Sequence, residues 1–235
     1  MIKEAIDKIL GLAGIHTAQI GEQVFTNSDL RRVSEATTDT LKVRNLSGIV
    51  DYITSNFDGK FPFIVHIQSP THVSVLTGYN RDLQRNLIIE ANALLPDINF
   101  GSYYNIESFN ILLQSCFVPT NVRDVLLSIV GNVKDEQVTS FGDDGTSQTV
   151  TAKTGVATVE NVKLPNPVHL KPFRTFVEIP QPESAFVFRM KDGPHAALFE
   201  ADGGEWKLRA IAEIKLYLDE RLEDFINEDK VVIIG

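Results

Sequence analysis

The 235-residue sequence predicts an α+β fold with mixed, mostly antiparallel sheets, helices packed on one face, and a C-terminal amphipathic helix. Three observations carry this. Segments with apolar residues at three- and four-residue steps stand beside segments rich in β-branched and aromatic residues. Their order runs helix, strands, helices, strands, helix, which is not the regular alternation that builds a doubly wound parallel sheet. Apolar residues make up 43% and charged residues 23%, ordinary values for a chain that buries a core without disulfides or metals. The expectation is a single domain over 1–235, with 1–45 an N-terminal helix and a mixed segment, and 46–235 the core.

Residues 2–12 predict a helix with Ile2, Ile6, Ile9 and Leu10 on one face, ended by Gly11 and Gly14. Residues 15–45 are mixed and suit a strand or two. Leu46 to Phe57 is helical by spacing, with Asn45 or Ser47 as cap and Asp58-Gly59 as stop. Phe61–Ile67 and His72–Tyr79 form a hairpin around Gln68-Ser69-Pro70-Thr71, and Arg85–Leu94 adds a third strand. Asn105–Phe117 and Asn121–Val130 read as a helical hairpin, with Val122, Val125, Leu126 and Ile129 inward and Gly131 as the second C-cap. Gln137–Phe141 and Thr146–Lys153 flank an Asp-Gly turn and predict another hairpin. Five prolines fall between 163 and 183, yet Phe173, Phe176, Val177 and Ile179 are too apolar for a free linker, so an edge strand is expected there. Ala185–Met190 and Ala196–Glu200 pair around Asp192-Gly193-Pro194. The last helix follows Asp202-Gly203-Gly204, with Trp206, Ile211, Ile214, Leu218, Leu222 and Phe225 as its stripe. Val231–Ile234 should add a strand to a sheet edge, in this chain or a neighbour.

Composition also bounds function. The net charge of −9 repels phosphate backbones and makes nucleic acid an unfavoured partner. A single cysteine, Cys116, permits neither an internal disulfide nor a cysteine zinc site and suits a reducing compartment. It falls on an apolar helix face, as a buried, inert thiol does. No apolar run approaches the length of a membrane span, and the charged N-terminal helix does not resemble a secretory signal. The expected location is the cytoplasm.

No phosphate-binding glycine loop, G-x-S-x-G elbow or H-E-x-x-H pair occurs. The candidates for chemistry are therefore weaker patterns. Glu200, Asp202 and Glu205 place three carboxylates between a strand and a helix, where oxygen ligands could hold a divalent cation such as Mg or Mn. The same acids also suit a helix N-terminus by charge alone. His66 and His72 face each other across the first hairpin in this reading, a pairing with acid/base or metal potential. Glu213-Ile214-Lys215 matches a nuclease fragment but lies mid-helix, where such pairs are ordinary surface residues. Arg174 and Arg189 lie among strand aromatics and could contact single-stranded nucleic acid. Gly203 and Gly204 are assigned to the turn, and Trp206 to the core, where its removal costs on the order of 3–5 kcal/mol.

Several segments resemble one family. Pro165-Asn166-Pro167, Lys171-Pro172-Phe173-Arg174-Thr175-Phe176, Phe186-Val187-Phe188-Arg189 and the run from Ala197 to Leu208 resemble the phage and prophage proteins typified by YfdQ. Leu46–Ile53 resembles that family's helix near the N-terminus, so the similarity spans about residues 40 to 220. The resemblance implies a bacteriophage-encoded protein made in the infected host cytoplasm, often from early genes near recombination and replication functions. It implies no activity and carries over no catalytic residues. The leading expectation is thus an accessory protein that acts by binding a host or phage replication, recombination or defence factor, as a homo-oligomer and without catalysis. A metal-dependent hydrolase or nuclease and a single-stranded nucleic-acid binder are the alternatives.

Overall fold

A computed structural model describes residues 2–12, 14, 17–20, 23–26, 36–132, 149–153, 159–163, 166–191 and 195–235. The chain divides into two compact units, Met1–Ala36 and Thr37–Gly235. The first holds helix α1 (Ile2–Leu12) and an antiparallel hairpin of β1 (Thr17–Ile20) and β2 (Gln23–Thr26). The second contains, in order, β3 (Leu41–Val43), α2 (Leu46–Ser55), β4 (Phe63–Ser69), β5 (His72–Thr77), β6 (Leu87–Asn92), β7 (Tyr104–Asn105), α3 (Ile106–Cys116) and α4 (Asn121–Asn132). It continues with β8 (Thr149–Lys153), β9 (Val159–Lys163), β10 (Val168–Leu170), β11 (Ser184–Lys191), β12 (His195–Glu200), α5 (Glu205–Arg221), α6 (Glu223–Asn227) and β13 (Val231–Ile234). The α+β class is as the sequence predicts. None of the described helices is long and apolar enough to cross a membrane.

The larger unit is organised around two sheets. One has the order β13-β4-β5-β6-β3. Its inner pairs are antiparallel, and both edges pair in parallel. Alternation along β4 buries Phe63, Val65 and Ile67 on one face, as a half-buried strand requires. They pack with Leu46, Ile49 and Ile53 of α2 and with Ile214 and Leu218 of α5. The second sheet has the order β10-β11-β12-β7, all antiparallel. Phe186, Phe188 and Met190 of β11 meet Phe109 and Leu113 of α3 and Leu126 and Val130 of α4. The helical hairpin thus covers a sheet face, as its spacing indicates.

Several boundaries differ from the sequence expectation. Helix α2 stops at Asn56, which takes the left-handed conformation at φ 45° and returns its amide to the Ile53 carbonyl. Asparagine tolerates this conformation, so the helix ends before Asp58-Gly59 and leaves Phe57 exposed rather than on the apolar stripe. Gly131 does not cap α4, which runs on to Asn132, and Val122 and Val125 face outward while Leu126 and Val130 are buried. Strand β8 pairs antiparallel with β9. The predicted partner at 137–141 and its Asp-Gly turn lie outside the described residues, as does the 192–194 link. The terminal helix breaks at Leu222, so Phe225 sits in α6.

The proline-rich stretch departs most from expectation. The edge strand is β10, and residues 173–183 form no strand. They make a partly buried loop in which Arg174, Thr175, Phe176 and Ile179 are buried while Val177 is exposed. Phe176 and Ile179 enter the aliphatic core, and the Gln181 side chain holds the loop closed. Its Oε1 accepts from the Arg174 and Thr175 amides at 2.9 and 3.2 Å, and its Nε2 donates to the Phe176 carbonyl at 3.0 Å. Thr175 donates its hydroxyl to the Pro70 carbonyl at 2.6 Å. Glu178 accepts from the Leu46 and Ser47 amides at 2.7 and 3.1 Å, capping α2 from far along the chain. Backbone groups that prolines and turns leave without strand partners are met by side chains instead.

Candidate functional site

The loop delivers Arg174 to the junction of β11, β12 and the start of α5. Arg174 is 6% exposed, and burying a guanidinium demands partners. Its Nη1 donates to Glu200 Oε1 at 3.0 Å, and its Nη2 donates to the Ser184 hydroxyl. Ser184 in turn donates to Asp202 Oδ2, which lies 3.9 Å from Arg174 Nη2. The other Asp202 oxygen accepts from the Gly204 amide at 3.1 Å. Gly203 and Gly204 take φ of 62° and 84°, so both turn positions favour glycine, as the sequence indicates. The guanidinium lies 3.9 Å from the centre of the Trp206 ring, a close cation–π stack. Trp206 is half-buried rather than deep core, and its indole N–H and the Arg174 Nε are buried without a hydrogen-bond partner.

Electrostatics follow from this packing. Burial pushes the Arg174 pKa down to about 10, against the pull of Glu200 and Asp202. Burial also pushes the Asp202 carboxyl up, but the Ser184 and Gly204 hydrogen bonds and the Arg174 charge outweigh it and hold the group below its ordinary value. At neutral pH Arg174 and Asp202 are therefore both ionised. Neither is poised to exchange a proton near pH 7, which efficient general acid–base catalysis asks of its groups.

Beside the network opens a cleft of about 360 Å³. Ser184, Ala185, Ala201 and Asp202 line it with the first turns of α5, from which Glu205, Trp206 and Arg209 project. His169 and Glu183 complete the wall. His169 Nδ1 is 3.9 Å from Glu183 Oε1, and Lys171 Nζ is 3.8 Å from Glu183 Oε2. Ser184 thus has a carboxylate acceptor and an arginine donor, while His169 is directed to Glu183.

The acids and the arginine that the sequence assigned to separate functions share one network. Glu200 and Asp202 are both matched to Arg174, while Glu205 pairs with Arg209 one turn along α5. Among the described residues no group of three His, Cys, Asp or Glu side chains is arranged to hold a metal ion. Arg174 is committed to these partners and buried, so it presents no free guanidinium to a phosphate. Arg189 lies further along strand β11, opposite Ala197 of β12.

The histidine pair is not formed as expected. His66 stands opposite Ser74, and His72 opposite Ser69, because a bulge between Ile67 and Ser69 shifts the register. His72 instead lies 3.4 Å from Glu90 of β6. Lys215 of the Glu213-Ile214-Lys215 fragment pairs with Asp219 on the helix surface, and Cys116 is buried. Sequence reasoning missed Ser184, Glu183, His169 and Arg209. One available signal was Arg174 itself, a lone charge between Phe173 and Phe176 that needed a buried counter-ion. No family model, curated protein or solved structure matches the chain.

Proposed function

We propose that this chain is a bacteriophage-encoded accessory protein of the host cytoplasm that works by binding a protein partner, without catalysis. One observation carries this reading: Arg174 is locked against Glu200, Ser184 and Asp202 beside the cleft, and Arg174 and Asp202 both keep their charge at neutral pH. Such an arrangement sets a shape and a fixed field rather than a reacting group. The resemblance to the YfdQ-typified family supports the phage origin and a host or phage replication, recombination or defence factor as the partner. The exposed β13 edge and outward apolar side chains support a homo-oligomer.

Glu183 and Glu205 stand on the cleft rim, the first near Lys171 and His169 and the second paired with Arg209, on a chain of net charge −9. The partner therefore offers a cationic side chain to the Glu183–Glu205 rim, and binding weakens with salt. Affinity capture from a bacterial lysate, with the intact chain and with Ala185→Trp or Glu183→Arg as bait, tests this. A partner retained by the intact chain and lost with both variants is the expected result. Equal recovery on all three baits would remove the cleft from the proposal.

A further inference from the structure

Helix α5 is apolar on two opposite faces. Ala210, Ile214 and Leu218 are buried, the last two against the five-stranded sheet. Two residues out of phase, Leu208, Ala212 and Leu216 form a second stripe at four-residue steps. It points to solvent, with Leu208 72% and Leu216 54% exposed. A surface helix needs one apolar face, so the outer stripe is surplus to the fold of one chain.

The stripe is a palindrome: leucine, three residues, alanine, three residues, leucine. A two-fold axis through Ala212 sets Leu208 of one chain against Leu216 of the other on both sides, with the small alanines at the crossing where the helices come closest. The flanking charges fit the same axis. Arg209, which pairs with Glu205 within the helix, lies three residues before Ala212, and Glu213 lies one residue after it. In an antiparallel pair they fall on facing flanks about 3 Å apart along the helix axes, twice by symmetry.

We infer that a second copy of this chain docks through α5, antiparallel, about a two-fold axis at Ala212. This rests on the homo-oligomer reading above and names its interface. The first turns of α5 also line the cleft, so the partner copy sits beside that opening. A single pair of 17-residue helices buries less than the roughly 1,600 Å² of a standard interface, the size class of weak, reversible contacts.

Sedimentation equilibrium of the full chain from about 1 to 500 μM tests the inference. The expected result is a monomer–dimer equilibrium whose dissociation constant rises on the order of tenfold or more in Leu208→Glu/Leu216→Glu. Both positions are exposed, and circular dichroism confirms that the variant is folded. Arg209→Glu and Glu213→Arg should each weaken the dimer, and the two together should restore it. A monomer at the highest concentration overturns both this inference and the oligomer reading. A dimer indifferent to the leucine changes, or charge reversals that do not rescue each other, overturns the α5 interface and leaves oligomerisation through another surface.

Discussion

The two cores of the larger unit are built from different materials. Beneath the five-stranded sheet the buried side chains are mostly aliphatic, with Val65, Val73, Val75 and Ile89 from the strands against Leu46, Ile49, Ile53, Ile214 and Leu218 from the helices. Beneath the four-stranded sheet rings take a larger share, beside Leu113, Leu126, Leu170, Met190 and Leu198. Phe186 and Phe188 meet Phe100, Phe109 and Phe117, with Phe109 and Phe188 stacked at a centroid distance of 5.7 Å. Many small side chains can rearrange around a deletion, whereas a few large ones cannot. The comparison teaches where the polar network can live. It lies at the end of the aromatic sheet, where Arg174 finds Trp206 on one side and approaches Phe186 on the other, its carbon 5.8 Å from that ring's centre.

Phe188→Ala should break this contrast most visibly, with a loss of about 3–5 kcal/mol in urea denaturation, against about 0.5–1.5 kcal/mol for Ile49→Val in the aliphatic core. Similar losses per deleted methylene in both cores would show that the aromatic core also relaxes. Arg174→Met should cost about 3 kcal/mol, because it strands Asp202 without its counter-ion. A neutral result would mean that the carboxylate finds water instead. Trp206→Ala should cost only about 1–2 kcal/mol, through its stack on Arg174, rather than the larger penalty of a deep core residue. Glu178→Ala should cost about 1 kcal/mol by uncapping α2, and helix content measured by circular dichroism should fall slightly.

Asp202 sharpens the comparison through pH. Its folded pKa lies below its unfolded value, so the unfolded chain takes up the proton first as pH falls. The stability it contributes is complete above the ordinary carboxylate range, about pH 4, and is lost as pH drops through the folded value. Asp202→Asn should flatten the fall of the denaturation midpoint below about pH 4 relative to the intact chain. Parallel curves would show that the Ser184 and Gly204 hydrogen bonds do not favour the ionised form.

Local patterns were legible in the sequence because their causes are local. The three- and four-residue spacing of Leu46, Ile49 and Ile53, the capping role of Asn45, the hairpin around Pro70 and the glycine turn at 203–204 all depend on neighbours within a few residues. Asn45 accepts from the Gly48 amide at 3.2 Å, as a cap should. Element ends were less legible. Asparagine at 56 and glycine at 131 could each stop or continue a helix: Asn56 takes the left-handed conformation and ends α2, whereas α4 runs through Gly131 to Asn132.

The sequence by itself determined the class of fold, the order of its elements, the apolar character of the proline-rich stretch and the acidic balance of the chain. It also marked Arg174, Glu200, Asp202 and Trp206 as unusual, each for its own reason. Only the tertiary structure joined them. Ser184 and Asp202 are 18 residues apart, Arg174 and Glu200 are 26, and the Glu178 cap reaches 132 residues back to Leu46. A charge selects its partner by distance in space, and low local dielectric then makes that pairing decisive. No spacing rule along the chain encodes such a choice.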